Sequence, residues 1–587
     1  MSSRAWPACC PALLACLVAA ALWIVHPAAG GTCAPGQATH PYVQIFAEQF
    51  SISGREVPNR IVAQLHAPSR KEVTGWDGVR WRATRQGLLR IAPEGKTSLW
   101  AGKQGLPVLD LTALAAAPDG TIWIGSTEGA ACFKPEEPPA PGGRWSYFWG
   151  RRYLADNSVE NIVAEQGGAW ILTRTGIARI EFKPFDLDQK SELFIQRLQA
   201  RHNRYGYVAD CDLLRPGDVT SLRPAPSDND GLWTAIYVAA ECFRFAVTRS
   251  PEALRNARQS LAALMRLEAI TGIAGFPARA LIRKGDYRDP EGEWHWTPDG
   301  QWEWKGDTSS DELVGHFFAY YVAGTLLPEG SDRAAAALVA GRIANHLLGH
   351  GWNLVGPGGR VTRWGKYSPD YFRTPDGRVD RALNSLEILS HLRVAYHLTR
   401  VDKFLRAYRR LIDESGYLRN TLGYATEAPL EVNYSDEELA FLSFYPLLSL
   451  EDDPYLRREY RRALEGLWRR ARDERNPLWN FIYAAGMGAT TGYGQQEALK
   501  ALERIPLETV CWTVKNSQRI DLELTPRLGR FGEKQCRSAI PPNERRVMKW
   551  NGNPFELDGG NDGRSEDDGA YFLLPYWLGR FHGLVKQ

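Results

Sequence analysis

The stretch from Trp294 to Tyr321, WHWTPDGQWEWKGDTSSDELVGHFFAYY, places four tryptophans within eleven residues and follows them with a carboxylate-rich loop that opens an apolar helix. Trp294, Trp296, Trp302 and Trp304 alternate along two short runs separated by Pro298-Asp299-Gly300, whose chemistry is that of a tight turn, so a tryptophan hairpin is expected. The loop behind it supplies Asp307, Asp311 and Glu312, and Glu312, His316 and Tyr320 recur at i, i+4 and i+8 on one helical face. Flat rings suit the C–H faces of sugars, and paired carboxyls can move the protons of glycoside chemistry. A plainer reading stands beside this one. Ser309-Ser310-Asp311-Glu312 is also a capping box, and tryptophans fill cores.

Two further acidic loops open helices, Ser227-Asp228-Asn229-Asp230-Gly231-Leu232-Trp233 and Asn433-Tyr434-Ser435-Asp436-Glu437-Glu438. Asp230 and the Ser435/Glu438 pair serve as caps, while Asp228, Asp307, Asp311, Asn433 and Tyr434 are surplus to capping. The expected catalytic set is therefore Asp307 or Asp311 as general acid, with Asp228 or Tyr434 as its partner. Two such carboxyls about 5 to 10 Å apart serve hydrolysis. Proton abstraction by Tyr434, Tyr320 or His316, with Arg279 neutralising an acid sugar, would serve elimination or epimerisation. Trp233, Arg279, Asn433 and the four hairpin tryptophans are the expected substrate contacts.

The elements that must position these residues fall into two textures. Around Trp81, Trp123 and Trp170 the chain repeats itself, each tryptophan followed six residues later by Gly87, Gly129 or Gly176, at spacings of 42 and 47 residues. From about Leu187 amphipathic helical patterns follow one another, at 232–247, 251–271, 311–327, 332–348, 381–399, 402–415, 437–450, 454–473, 477–485, 495–504 and 569–584. Short turns between them predict stacked antiparallel hairpins. The expected fold is an N-terminal β-propeller-like repeat domain (31–186) followed by an all-α (α/α) toroid (187–587). Three clear repeats fall short of a closed ring, so either a degenerate blade precedes Arg60 or the blades lean on the rest of the protein.

The Trp/Gly units resemble the propeller repeats in the periplasmic sensor regions of bacterial two-component regulators. The helical texture, as in Tyr237-Val-Ala-Ala-Glu-Cys-Phe-Arg-Phe and Thr271-Gly-Ile-Ala-Gly-Phe-Pro-Ala-Arg279, is similar to six-hairpin glycosidases and to α/α-toroid polysaccharide lyases and epimerases, with no family's catalytic motif intact.

The remaining signals set bounds. At 587 residues more than one domain is expected, and a net charge of +3 without a long basic run excludes nucleic acid as the expected partner. The run Ala12 to Val25, flanked by Arg4 and small residues, reads as a signal peptide over 1–30 with cleavage between 27 and 32, or as an uncleaved anchor, and hence as periplasmic or secreted. Cys33, Cys132, Cys211, Cys242, Cys511 and Cys536 would remain, with Cys511–Cys536 the favoured disulfide. No CxxC spacing exists, so no metal site is expected, and Gly486, Gly488, Gly492 and Gly494 miss the dinucleotide spacing and follow no predicted strand, so no nucleotide cofactor is expected. The oxygen-rich run Asp558 to Asp568 is the one place for Ca²⁺, although Gly560 breaks the EF-hand pattern. Function then divides between an exported enzyme that cleaves or modifies a polysaccharide or oligosaccharide, hydrolysis favoured, and a non-catalytic periplasmic glycan-binding or sensor protein.

Overall fold

The computed structural model describes residues 41–135, 144–427, 432–488 and 494–586. The signal segment and Cys33 lie outside the described residues. Residues 38–587 cluster as one compact unit, in which a strand-rich region is followed by a helical one.

The strand-rich region contains three four-stranded antiparallel sheets. The first is β2 (Glu72–Thr74), β3 (Arg80–Thr84), β4 (Gly87–Ile91) and β5 (Thr97–Trp100); the second is β6 (Leu111–Ala116), β7 (Ile122–Ser126), β8 (Gly129–Phe133) and β9 (Trp145–Phe148). The third takes β10 (Val159–Glu165), β11 (Gly168–Thr173) and β12 (Gly176–Asp186), and its outer strand is β1 (Pro41–Ser51), paired with β12 from Pro41↔Asp186 to Ser51↔Gly176. Each repeated tryptophan lies in the second strand of its unit and is buried. Each repeated glycine starts the next strand where the sheet's outer strand passes close. A Cβ would stand 2.4 Å from Trp100 O at Gly87, 2.7 Å from Phe148 O at Gly129, and 2.9 Å from Phe50 O at Gly176. The fixed Trp–Gly offset is thus a packing rule of the sheet.

The segment before Arg60 is not a degenerate blade. It supplies β1 to the third sheet, and α1 (Asn59–Leu65) then packs on β10 and β11. The three sheets do not close into a propeller among the described residues. They lean instead on the C-terminal segment: Arg519 lies 4.0 Å over the Tyr147 ring, Ile520 N donates to Pro107 O, and Arg152 donates to the carbonyls of Asn543 and Arg545. Cys511 and Cys536 in that segment are free thiols with separate carbonyl acceptors, Val547 and Glu523, so the expected disulfide is not formed.

β12 ends at Asp186, whose carboxylate accepts from Gln189 N at 2.7 Å while Gln189 Oε1 accepts from Asp186 N, a reciprocal cap that starts α2 (Leu187–Arg197). The helices that follow are α3 (Asp230–Thr248), α4 (Pro251–Ala269), α5 (Ser310–Leu326), α6 (Ser331–Gly349), α7 (Pro375–Thr399), α8 (Asp402–Ser415), the short α9 (Tyr417–Thr421) and α10 (Gly423–Thr426), α11 (Tyr434–Leu450), α12 (Pro454–Ala471), α13 (Pro477–Met487), α14 (Gln495–Arg504) and α15 (Ala570–Phe581). Thr374, Ser250, Asp453 and Asn476 cap helices that open with proline, the pairing that satisfies free N–H groups and presets φ. α15 runs through Pro575 from Ala570.

Six of these helices pack in a cycle: α3 on α5, α5 on α7, α7 on α11, α11 on α13, α13 on α15, and α15 back on α3. Each carries one outer helix, respectively α4, α6, α8, α12, α14 and, for α15, α2. Because the chain alternates inner and outer helices, all six inner helices run the same way and their N-terminal ends share one rim. Their flanks are almost wholly buried, in a core reaching from Leu187 to Val585. No described helix is long and apolar enough to cross a membrane.

Candidate active site

The inner helices deliver to that rim carboxylates that the sequence scatters between positions 228 and 438. Asp228 precedes α3, Asp311 sits in the first turn of α5, Asp380 and Glu387 lie on α7, and Asp436, Glu437 and Glu438 open α11. They act on one another electrostatically. Glu387 is fully buried, and its carboxyl is pushed far above the ordinary range first by loss of water and then by the charges of Asp311, Asp436 and Asp380. Glu438 is raised to about 8 by burial and by Asp311, against the pull of Lys549. Glu437 and Glu474, buried together at the entrances of α11 and α13, are both raised by burial, and Trp479 Nε1 donates to Glu474 at 3.0 Å.

Asp436 differs from these because its side chain is open to solvent. Its carboxyl is nonetheless raised to about 6, by the protein crowding around it and then by Asp311, with the Asn433 hydrogen bond opposing. An exposed acid with a raised pKa is what a concave site produces, because water reaches the group from one side only. Asp311, partly open, is raised by burial and by Asp228, against Arg279 and Ser309. Asp228 goes the other way. Burial pushes it up, but Lys305 Nζ at 2.5 Å and Arg279 outweigh that and hold the carboxyl below its ordinary value. The rim thus carries a protonatable acid and an ionised carboxylate, with Asp311 electrically coupled to each.

Arg279 ties these loops together. Its Nε donates to Asp228 O at 2.6 Å, Nη1 to Asp307 O at 3.3 Å and Nη2 to Asn229 Oδ1 at 3.3 Å. Asp307 is held at φ +50° with its Oδ1 accepting from Arg363 N at 2.8 Å, so its carboxylate fixes the loop entering α5 to the strand Val361–Lys366. Asp230 is buried, accepts from Ser227 N and Ser227 Oγ, and pairs with Arg204 at 2.6 Å.

Several expected site residues stand elsewhere. His316 is 0% exposed, its Nδ1 2.8 Å from the Tyr320 hydroxyl and its Nε2 3.8 Å from Glu312, and burial lowers its pKa to about 3. It cannot touch a substrate. Glu312, instead of capping its own helix, accepts from Gly231 N at the start of α3, in a space so tight that a Cβ on Gly231 would lie 1.9 Å from Glu312 Oε2. Tyr434 is at the rim, but burial and then Glu474 and Glu437 raise its hydroxyl, the wrong direction for a base.

The tryptophan hairpin forms from Trp294–Trp296 and Trp302–Lys305, with Ala280–Arg283 as third strand. It is not one aromatic wall. Trp294 pairs with Lys305 and Trp296 with Glu303, which puts those two rings on the face opposite Trp302 and Trp304. Trp304 is buried against His295, and Trp302 lies under Arg283 at 5.0 Å. Trp296 is 51% exposed, and the Trp294 ring is 5.6 Å from Lys305 Nζ, the group that holds Asp228. Trp233, at the start of α3, is covered by Lys549 Nζ at 4.0 Å.

Lys549 belongs to a second acidic group, where the Ca²⁺ expectation fell. Asp210, Asp567 and Asp568 converge there, and Lys549 Nζ is 3.3 Å from Asp210 and 3.0 Å from Asp568. Asp558 accepts from Ser517 N, and Asp562 from the Thr513 hydroxyl. Asp436, Glu387, Glu438 and Lys549 are the rim groups that sequence reasoning passed over. Asp436 lay in a noted loop but read as one more first-turn acid, and only ring closure brings Lys549 to the inner helices. A separate pocket, lined among others by Glu474, Lys500, Arg504, Pro541 and Arg545, does not include Asp228, Asp311 or Asp436.

No family model matches the chain, and no curated protein matches it. Among solved structures, the extracellular domain of a hybrid two-component system from B. thetaiotaomicron is similar at 21% identity and TM-score 0.17, over 20% of this chain and 16% of that one. A metagenome-derived glycoside hydrolase family 9 endoglucanase is similar at 10% identity and TM-score 0.30, over 81% of this chain and 98% of that one. The chain thus spans under a fifth of the first of these. Neither likeness is strong enough to add to what the rim itself says.

Proposed function

We propose that this chain is an exported, periplasmic or secreted, α/α-toroid glycoside hydrolase whose reaction takes place at the N-terminal rim of the inner helices. The observation that carries the reading is the divergence of carboxyl pKa values there: Asp436 raised to about 6 and open to solvent, Asp228 lowered, Asp311 raised between them. In this assignment Asp436 protonates the glycosidic oxygen as the sugar–oxygen bond breaks. Asp228 meets the positive charge developing on the sugar ring, either by attacking it or by taking a proton from water. Asp311 holds the Asp436 proton in place by like-charge repulsion. Trp294 and Trp296 offer ring faces for the sugar chain. The elimination and epimerisation readings lose support because Tyr434 is a raised phenol and His316 is buried. The test is a glycan panel assayed for both new reducing ends and unsaturated uronates, with wild type, Asp436→Asn and Asp228→Asn. Reducing ends that vanish in both variants support the assignment; saturable binding without turnover in wild type returns the chain to the glycan-binding reading.

A further inference from the structure

Just ahead of α15, three side chains of different chemistry, none of them used in the proposed reaction, meet without any motif in the sequence. His202 ends the single π-helical turn Leu198–His202 that prolongs α2, Cys211 opens the strand Cys211–Leu213, and Glu566 lies on the strand Ser565–Glu566 shortly before α15. Cys211 and Glu566 are direct partners in the antiparallel ladder, so their side chains leave on the same face. All three residues are buried, and their nitrogen, sulfur and oxygen atoms lie within 4.8 Å of one another.

The proton inventory of the group is incomplete. His202 Nδ1 is 3.1 Å from the carbonyl oxygen of Ala209, which can only accept, so Nδ1 carries a hydrogen and Nε2 is the ring nitrogen that faces the cluster. Nε2 is 3.4 Å from Glu566 Oε2, close enough for an ion pair, yet neither atom has a well-aligned hydrogen bond among the described residues. Arg201 engages Glu566 through Oε1 at 2.8 Å and leaves Oε2 to the cluster. Buried polar atoms left unpaired cost about 1–3 kcal/mol each, so a pair of them aimed at a thiol asks for a missing partner.

We propose that His202 Nε2, Cys211 Sγ and Glu566 Oε2 bind a divalent transition metal, zinc by preference. Imidazole, thiolate and carboxylate together are a zinc set, and the thiolate argues against Mg²⁺ or Ca²⁺. Thiolate plus carboxylate balance the ion's charge, which makes the assembly tolerable in a buried place. Binding releases the thiol proton to solvent, and a water takes the fourth tetrahedral position. The backbone carbonyl on Nδ1 is the outer contact that orients ligating histidines. The ion would staple the turn after α2 to the strand before α15, the two helices of the hairpin that closes the helical cycle. The absence of CxxC spacing does not oppose this, because the ligands come from three remote places.

The test uses the full chain purified without chelator. Metal analysis should give about one zinc per chain, as a site formed by folding does. Exchange with Co²⁺ should produce a near-ultraviolet thiolate-to-cobalt charge-transfer band, and chelation should lower Tm until zinc is restored. Cys211→Ser should lose the band and the chelator effect, while Cys511→Ser, a thiol outside the cluster, should keep both. If Cys211→Ser does not fold, the wild-type metal content and cobalt spectrum decide alone. Wild type with no stoichiometric metal, no cobalt band and no response to chelator overturns the proposal and leaves a His202–Glu566 pair.

Discussion

Two acidic groups lie at or near the entrances of inner helices, and they differ in one component. Asp210, Asp567 and Asp568 at the entrance of α15 have the Lys549 ammonium among them. Asp311, Asp436, Glu387 and Glu438 at the entrances of α5 and α11 and along α7 have no described ion pair, and their carboxyls are raised, by burial first and by neighbouring carboxylates after it. A carboxylate cluster with its own cation is a structural joint. One without it is a store of protons near neutral pH, which is what acid catalysis requires.

The largest effect that would sharpen this contrast is chemical. Asp436→Asn is expected to lower kcat/KM on the responsive glycan by about 10²–10⁴ with Tm maintained. Wild-type activity should fall as pH rises through about 6, where Asp436 loses its proton, and the variant should lack that limb. A variant with full turnover and an unchanged profile would remove Asp436 from the chemistry.

At the joint, the loss is mechanical. Lys549→Met leaves buried Asp568 facing Asp567 uncompensated, at a cost of about 3–5 kcal/mol in denaturant unfolding at neutral pH. The deficit should shrink in acid as Asp210 and Asp567, whose carboxyls burial raises, take up protons. A Lys549→Met chain as stable as wild type would show that the ammonium is not what distinguishes the groups.

Smaller again is the effect of Glu438→Gln. A carboxyl whose folded pKa is raised, here to about 8, contributes stability that is present below its unfolded value near 4.5 and lost as pH rises through 8. The variant should therefore gain on wild type in unfolding free energy between pH 5 and 9, by an amount on the order of a few kcal/mol at most. A constant difference over that window would contradict the raised Glu438 carboxyl. Smallest is Trp296→Ala, for which roughly a two- to tenfold rise in KM with unchanged kcat and Tm is expected from losing one exposed ring. No change in KM would restrict sugar contacts to other residues.

The helices were legible because their ends are chemically marked: Ser250-Pro251, Asp453-Pro454 and Asn476-Pro477 read directly as caps, and 251, 402, 454, 477 and 495 are helix starts in both sequence and structure. The Trp–Gly offset was legible too, since one close approach of an outer strand imposes it three times. What remained hidden depends on direction. Spacing showed that Glu312, His316 and Tyr320 share a face but not that the face looks into α3, while Asp311, one position earlier, looks toward the rim. Strand alternation likewise divides the four tryptophans between two faces, which a count of rings conceals. Glu387 in the middle of α7 resembles any solvated helical acid, and His202, Cys211 and Glu566 have no common signature in the chain.

The pairing of α2 with α15 carries a consequence for how the molecule is made. Five hairpins of the cycle can form from neighbours in the chain as they appear, but the sixth joins segments from opposite sides of the helical region and waits for α15. Until then α3 lacks its partner on one flank and the apolar inner surface stays uncovered, a slow, high-separation closure of the kind that exposes a chain to aggregation. Assembly is thus all-or-none at its last step, and damage confined to the dozen residues of α15 should be felt around the whole circumference.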